Sequence, residues 1–398
     1  MIPRLIEPRL RELAGKFPVV TLTGPRQSGK TTLCRAVFPG KPYVSLEAPD
    51  IRDYARKDPR GFLGDYADGA ILDEVQRVPE LLSYVQTMVD EDPSPGRFVL
   101  TGSANFALLQ TLGQSLSGRT ALLELLPLSL EEVRQFPDPP TELWDLIWRG
   151  SYPALYDRHL DPGDWYPSYV ATYVERDVRA ILNVENLFAF QTFLQLAAGR
   201  VAQLVNASAL GADAGVTHAT ARSWLSVLET GYVTWRLPPF HSNLSKRLIK
   251  TPKIHFVDTG LACYLLGIQS PAQLRSHPLR GQLFETWVAS EVLKSRVHLG
   301  LPRSLTFYRD RKGLEVDLIV DAGGRQLAVE AKSGATIAED FFAGLDSFRA
   351  KAETALPGND LSSFIVYGGE VRQNRSNGTA IPWSELDQVR WDNTPSKA

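Results

Sequence analysis

Residues 24–31 read Gly24-Pro25-Arg26-Gln27-Ser28-Gly29-Lys30-Thr31, a complete G-x-x-x-x-G-K-[ST] phosphate loop. Each fixed position has a physical task. Gly24 and Gly29 admit backbone conformations that turn a nest of N–H groups towards an anion. Lys30 can reach β- and γ-phosphates, and the Thr31 hydroxyl suits Mg²⁺. Before the loop, Phe17-Pro18-Val19-Val20-Thr21-Leu22-Thr23 is a β-branched run fit for a buried strand; after it, Thr31 to Phe38 carries helical spacing. This order sets the phosphates at a helix N-terminus, where the dipole favours them. The expected contacts run through Gly24, Pro25, Arg26, Gln27, Ser28, Gly29, Lys30, Thr31 and Thr32.

A second element follows in Gly69-Ala70-Ile71-Leu72-Asp73-Glu74-Val75-Gln76. At the carboxyl end of a central parallel strand, Asp73 would lie beside the loop and hold Mg²⁺, directly or through water. Glu74 is placed to polarise the attacking water. A third apolar strand, Arg97-Phe98-Val99-Leu100-Thr101-Gly102-Ser103-Ala104-Asn105, ends in small polar residues. Thr101, Ser103 or Asn105 would sense the γ-phosphate, and the sequence leaves the choice open. The spacing predicts strands over 19–23, 43–46, 70–73 and 98–101 and helices over 29–38 and 79–89. Strands alternating with helices imply an α/β doubly wound parallel sheet. The extra strand between phosphate loop and acidic strand points to the subclass that uses a catalytic glutamate.

These segments, with Leu116-Ser117-Gly118-Arg119 and the run from Leu123 to Glu132, resemble a prokaryotic AAA-like P-loop ATPase family. Its members carry a C-terminal domain of unknown function, DUF4143, and the resemblance spans about residues 15–385. It implies ATP as ligand, Mg²⁺ as cofactor and ATP hydrolysis as activity. In such ATPases an arginine from a neighbouring subunit often stabilises charge on the transferring phosphoryl group. Arg119 is the candidate for that finger, in a homo-oligomer, or for a sensor within its own subunit; Arg149 and Arg176 are alternatives.

The chain has 398 residues, 43% hydrophobic and 22% charged, enough for two or three ordinary globular domains. Cys34 and Cys263 form no metal or disulfide pattern, the six histidines lack ligand spacing, and a reducing cytoplasm is the expected setting. No apolar run of about 18 residues suggests a membrane span, and the first residues do not read as a signal peptide. A net charge of −2 gives no global case for nucleic acid.

Between Thr217 and Lys253 the balance changes: Arg222, Arg236, Lys246, Arg247, Lys250 and Lys253 face one acid, Glu229. Val201 to Leu210 suits a first helix, Gly211 to Val216 a turn, and Thr217 to Glu229 a second helix capped by Thr217. Tyr232-Val233-Thr234-Trp235-Arg236-Leu237 resembles a β-wing. A winged helix of this charge suits contacts to a DNA backbone or, equally, packing within a multidomain ATPase.

Towards the C-terminus, the amphipathic stretch Gly281 to Leu293 carries Glu285. The stretches 313–320 and 326–332, joined at Gly323-Gly324, read as a hairpin with Asp317 on one strand and Glu330-x-Lys332 on the other. Carboxylates can bind Mg²⁺, and a lysine can stabilise an anionic transition state. The pattern resembles the PD-(D/E)xK nuclease core. That resemblance makes Glu285, Asp317 and Glu330 metal ligands and Asp317, Glu330 and Lys332 catalytic; the bland reading is a solvated strand face with an internal Glu330–Lys332 pair.

The expected organisation is an ATPase domain over 1–137, a helical connector with a winged helix over 138–260, and a nuclease-like α/β domain over 261–398. Two functions compete: an ATPase coupled to DNA binding and cleavage, or a nucleotide-dependent switch whose nuclease-like domain is inactive and binds a protein partner.

Overall fold

Val19–Thr23 (β1) is buried at every position, as a strand covered on both faces must be. In the computed structural model, which describes residues 2–103, 115–174, 186–240, 251–355 and 360–392, it lies inside a five-stranded sheet. The other strands are Tyr43–Ser45 (β2), Ile71–Asp73 (β3), Phe98–Gly102 (β4) and Thr120–Glu124 (β5), in the order β2-β3-β4-β1-β5. All pairings are parallel. Alternate residues of each strand feed opposite cores. Val20, Leu22, Ile71 and Val99 pack with Leu10, Leu13, Leu33 and Cys34 on one face. On the other, Val19, Leu72, Phe98 and Leu100 meet Phe62, Leu82 and Val85. The sheet is therefore doubly wound, and the phosphate loop and Asp73 leave the carboxyl ends of β1 and β3, on either side of β4.

The chain packs as two compact units. The first comprises Met1–Pro127, Thr230–Tyr232 and Val297–Gly300, and the second Leu128–Glu229, Val233–Arg296 and Leu301–Ala398. The second unit begins with helices Leu130–Val133, Leu143–Arg149, Pro153–Asp157 and Pro162–Tyr169, and Leu187–Ala198 comes later. Its buried Asp258 accepts hydrogen bonds from the Ser151 N–H (2.6 Å), the Tyr166 hydroxyl (2.6 Å) and the Leu261 N–H (2.8 Å). A charge so buried needs donors of this number.

The helix-turn-helix differs from expectation at its start. Gln203–Leu204 (β6) is a strand, and the first helix is Ala207–Asp213, capped by the Asn206 side chain on the Ala209 N–H at 3.0 Å. Asn206 is a strong N-cap and the preceding Val205 favours extended backbone, so the helix starts later than apolar spacing suggests. The second helix, His218–Thr230, is capped by Thr217 on the Thr220 N–H at 3.1 Å. Strand β6 joins Thr234–Leu237 (β7) and Lys253–Phe256 (β8) in an antiparallel sheet with β8 in the middle. After the long helix Arg280–His298 comes a mixed six-stranded sheet: Leu305–Arg309 (β9), Glu315–Asp321 (β10), Arg325–Lys332 (β11), Asp360–Tyr367 (β12), Gln373–Arg375 (β13) and Gly378–Pro382 (β14). The β10–β11 hairpin turns at Gly323 and Gly324, both at positive φ. Among the described residues no helix is long and apolar enough to cross a membrane.

Candidate functional site

The loop after β1 needs its glycines for two separate reasons. Gly24 sits at φ +151°, and a Cβ there would lie 2.2 Å from the Leu125 carbonyl oxygen; Gly29, at φ +94°, is the left-handed residue that opens the helix Lys30–Val37. The Ser28 hydroxyl donates to the Pro25 carbonyl at 3.0 Å. From below, the buried Arg4 guanidinium donates to the Ser28 and Leu126 carbonyls at 2.7 and 2.9 Å. Arg4 thus fixes the loop against β5's continuation, a contact between residues too distant in sequence to be seen there.

Lys30 is buried, and its ammonium donates to the carbonyls of Gly24 (3.0 Å) and Pro25 (2.7 Å) inside the loop it is expected to serve. Burial lowers its pKa to about 8, against the pull of Glu74 and Asp73. Of the remaining loop residues, Pro25 is buried, Arg26 half-buried, and Gln27 and Thr32 exposed.

Asp73 is buried and gathers three donors from three elements. Thr31 donates its hydroxyl at 2.9 Å, Tyr43 donates its phenol at 2.8 Å, and Thr101 is also hydrogen-bonded to it. Burial, then the hydrogen bond to Asp73, pushes the Tyr43 phenol up to about 12, so it stays a donor. Glu74, the next residue, takes the left-handed conformation (φ 59°, ψ 42°). Such backbone in a residue with a side chain costs about 1–3 kcal/mol and clusters at functional sites. The Gln76 amide donates both to the Glu74 carboxylate and, at 2.9 Å, to the Ser103 hydroxyl. The structure therefore brings Lys30, Thr31, Asp73, Glu74, Thr101 and Ser103 to the carboxyl end of the parallel sheet; Asn105 lies outside the described residues. Tyr43 and Gln76 were not foreseen. An exposed tyrosine opening a strand, and a glutamine two residues beyond a candidate base, are the signals that mark them.

Thr31 and Asp73 fit a hydrated Mg²⁺: a hydroxyl and a buried carboxylate, both hard oxygens, adjoin the loop's N–H nest. Arg119 is paired in its own chain with Asp90, through Nε and through NH2 at 2.9 Å. Arg149 pairs with Asp145 at 3.4 Å, and Arg176 lies outside the described residues.

The second unit holds the other predicted centre. Glu315 and Asp317, two apart on β10, share one strand face with a helix residue, Glu285, opposite. The sequence reading gives Glu285, Asp317 and Glu330 to a metal. The structure gives them to lysines. Lys253 Nζ lies 2.7 Å from Glu285, 2.5 Å from Glu315 and 3.7 Å from Asp317, while Lys332 donates to Glu330 at 2.8 Å. Among the described residues no three acids, histidines or cysteines converge as a metal-ligand group. Asp317 also accepts the Ala331 N–H at 2.9 Å. Burial, then Asp317, raises the Glu330 carboxyl to about 8. Burial alone would lower the Lys253 amine, but Glu285, Asp317 and Glu315 outweigh it and hold the group cationic.

Lys253 is also a correction to the basic stretch read as a DNA-facing surface: it is only 2% exposed. Arg222 is exposed beside the helix-turn-helix, and Arg236 pairs with Glu229 at 2.6 Å. Lys246, Arg247 and Lys250 lie outside the described residues.

Three family models match the chain: an AAA domain over residues 16–134, a domain of unknown function (DUF8612) over 140–272, and a domain of unknown function (DUF4143) over 280–386. The chain is 32% identical over 369 residues to the uncharacterized proteins Rv2008c of Mycobacterium tuberculosis and Mb2031c of Mycobacterium bovis, covering 92% of this chain and 79% of each of theirs. Among solved structures it is similar to the Walker-type ATPase PABY2304 of Pyrococcus abyssi, at 17% identity and a TM-score of 0.45, over 65% of this chain and 94% of that one.

Proposed function

Because the chain belongs to the family of P-loop ATPases that join an AAA domain to a C-terminal DUF4143 domain, we propose that it hydrolyses ATP with Mg²⁺ and couples the cycle to its second unit. The observation that carries this reading is the set of donors that converge on Asp73 directly beside a complete phosphate loop. Loop N–H groups from Gly24 to Thr32 bind the phosphates, and Lys30 turns from the loop carbonyls to the β- and γ-oxygens. Thr31 and Asp73 hold the metal, which, when bound, draws charge from the phosphate oxygens. Glu74 takes a proton from the attacking water as its oxygen bonds to phosphorus and the bond to ADP breaks. Gln76 holds the Glu74 carboxylate for that task, and Ser103 lies at the far end of the same hydrogen-bond chain. Arg119 serves a neighbouring copy in an oligomer only after leaving Asp90.

What the cycle drives is a second part of the proposal. An open recess beside the helix-turn-helix is lined by Asn206, Ser208, His218, Arg222 and Arg236, which supports contact with a DNA backbone. The test is phosphate release with Mg²⁺, with and without duplex or single-stranded DNA, for the wild type and Lys30→Ala. Stimulation by DNA that Lys30→Ala abolishes supports a DNA-coupled ATPase. Hydrolysis indifferent to DNA overturns that coupling and favours the reading in which the second unit binds a protein. No hydrolysis at all overturns the ATPase assignment.

A further inference from the structure

We infer that the ammonium of Lys253 is the resident cation of the carboxylate cluster on β10 and the helix Arg280–His298, standing where a nuclease-like centre would hold a divalent metal. Glu285, Glu315 and Asp317 all lie within 4 Å of one Nζ, at 2.7, 2.5 and 3.7 Å. An ammonium has three donors and no acceptor; Glu285 and Glu315 lie at hydrogen-bond distance from it, and Asp317 adds a longer ion pair. The Phe307 ring lies 5.4 Å from the same nitrogen, within cation–π range.

The lysine is delivered by a different sheet and is buried there, 2% exposed. Strand β8 is hydrogen-bonded on both sides, with Lys253 paired to Leu204 and Leu237. The neighbouring Ile254 and Phe256 are almost fully buried. On the same face as Lys253, His255 hydrogen-bonds Thr286, the residue after Glu285, at 3.0 Å. Strand and helix are thus tied together at successive positions.

Two further cations face the same acids. Arg309 reaches Glu315 at 3.4 Å, and Lys332 takes Glu330. A divalent ion entering here would meet a fixed positive charge and carboxylates already engaged. The residues do not fit such an ion, and the cluster acts as an internal charge latch that joins β8, the long helix and β10. Phosphodiester cleavage of the metal-dependent kind is not expected of this centre, whatever the ATPase does.

The experiment counts bound Mn²⁺ by electron paramagnetic resonance on the full chain without nucleotide. In the wild type, Asp317→Asn should leave the Mn²⁺ count unchanged. Lys253→Met should gain one bound Mn²⁺ per chain, lost again when Asp317→Asn is added. Since Lys253→Met alone leaves unpaired acids and can fail to fold, Lys253→Met/Glu315→Gln removes one charge of each sign and should show the same gain. A second readout is acetylation of Lys253 in the wild type, expected to be slow and unaffected by Mn²⁺. Wild-type Mn²⁺ lost in Asp317→Asn, acetylation accelerated by Mn²⁺, or a folded double variant that takes no ion would each overturn the inference. None of these depends on ATP hydrolysis.

Discussion

ATP affinity should fall as pH rises through the range in which free Lys30 titrates. In the structure this ammonium is buried against two carbonyls, and its pKa is lowered to about 8. Bound polyphosphate restores a strong preference for the charged form. The ligand-competent fraction of the free protein is then about three quarters at pH 7.5 and about 3% at pH 9.5. The ratio makes affinity fall by about 25-fold, or about 2 kcal/mol, over a range where the phosphates are already ionised. The same linkage acts on stability with its own sign. Between pH 8 and 10.5 the unfolded chain binds more protons at this residue than the folded one, so raising the pH across that window stabilises the free fold. Competition titrations with a fluorescent ATP analogue read the affinity, and calorimetry in two buffers at pH 8 reads net proton uptake. Lys30→Met should bind more weakly at every pH and lose the slope. An affinity independent of pH from 7.5 to 9.5 in the wild type would mean that Lys30 is not the group whose protonation limits ATP binding.

Other changes test other parts of the site and the fold. Gly24→Ala puts a Cβ 2.2 Å from the Leu125 carbonyl oxygen at φ +151°, so the loop must move; ATP binding should be lost and urea unfolding should show about 1–3 kcal/mol of destabilisation. Gln76→Leu removes the amide that holds Glu74, and kcat should fall by a factor on the order of ten with ATP affinity little changed; steady-state kinetics would show an equal loss in affinity if the role were merely structural. Lys253→Met strands three partly buried carboxylates and should cost about 3–5 kcal/mol in chemical denaturation, part of it recovered by adding Glu315→Gln.

Much of the first unit was legible because its signals are local. Phosphate-loop chemistry demands Gly24 and Gly29 at fixed spacing from Lys30, and both occupy the positive-φ positions it requires. Asp73 could be read as a strand-end carboxylate, but its partners Tyr43 and Thr101 come from other strands, which only the sheet order brings together. Arg4 and its carbonyl partner Leu126 are 122 residues apart and leave no periodic trace. The second unit was harder for a related reason. Counting charges from Thr217 to Lys253 treats every lysine as solvated, whereas Lys253 stands in a four-residue strand buried throughout. The lysine in Lys253-Ile254-His255-Phe256 is the one sequence hint that a counter-charge is waiting. The acids that answer it lie 32 to 64 residues on.

The most direct test of the account is single-turnover hydrolysis of Mg²⁺-ATP by Glu74→Gln beside the wild type, with nucleotide binding measured on the same samples. The substitution keeps the shape and leaves a group that cannot accept the water's proton. With Glu74 as the base, ATP binding stays close to wild type and hydrolysis slows by about 10²–10⁴-fold. Hydrolysis at the wild-type rate by Glu74→Gln would contradict that role.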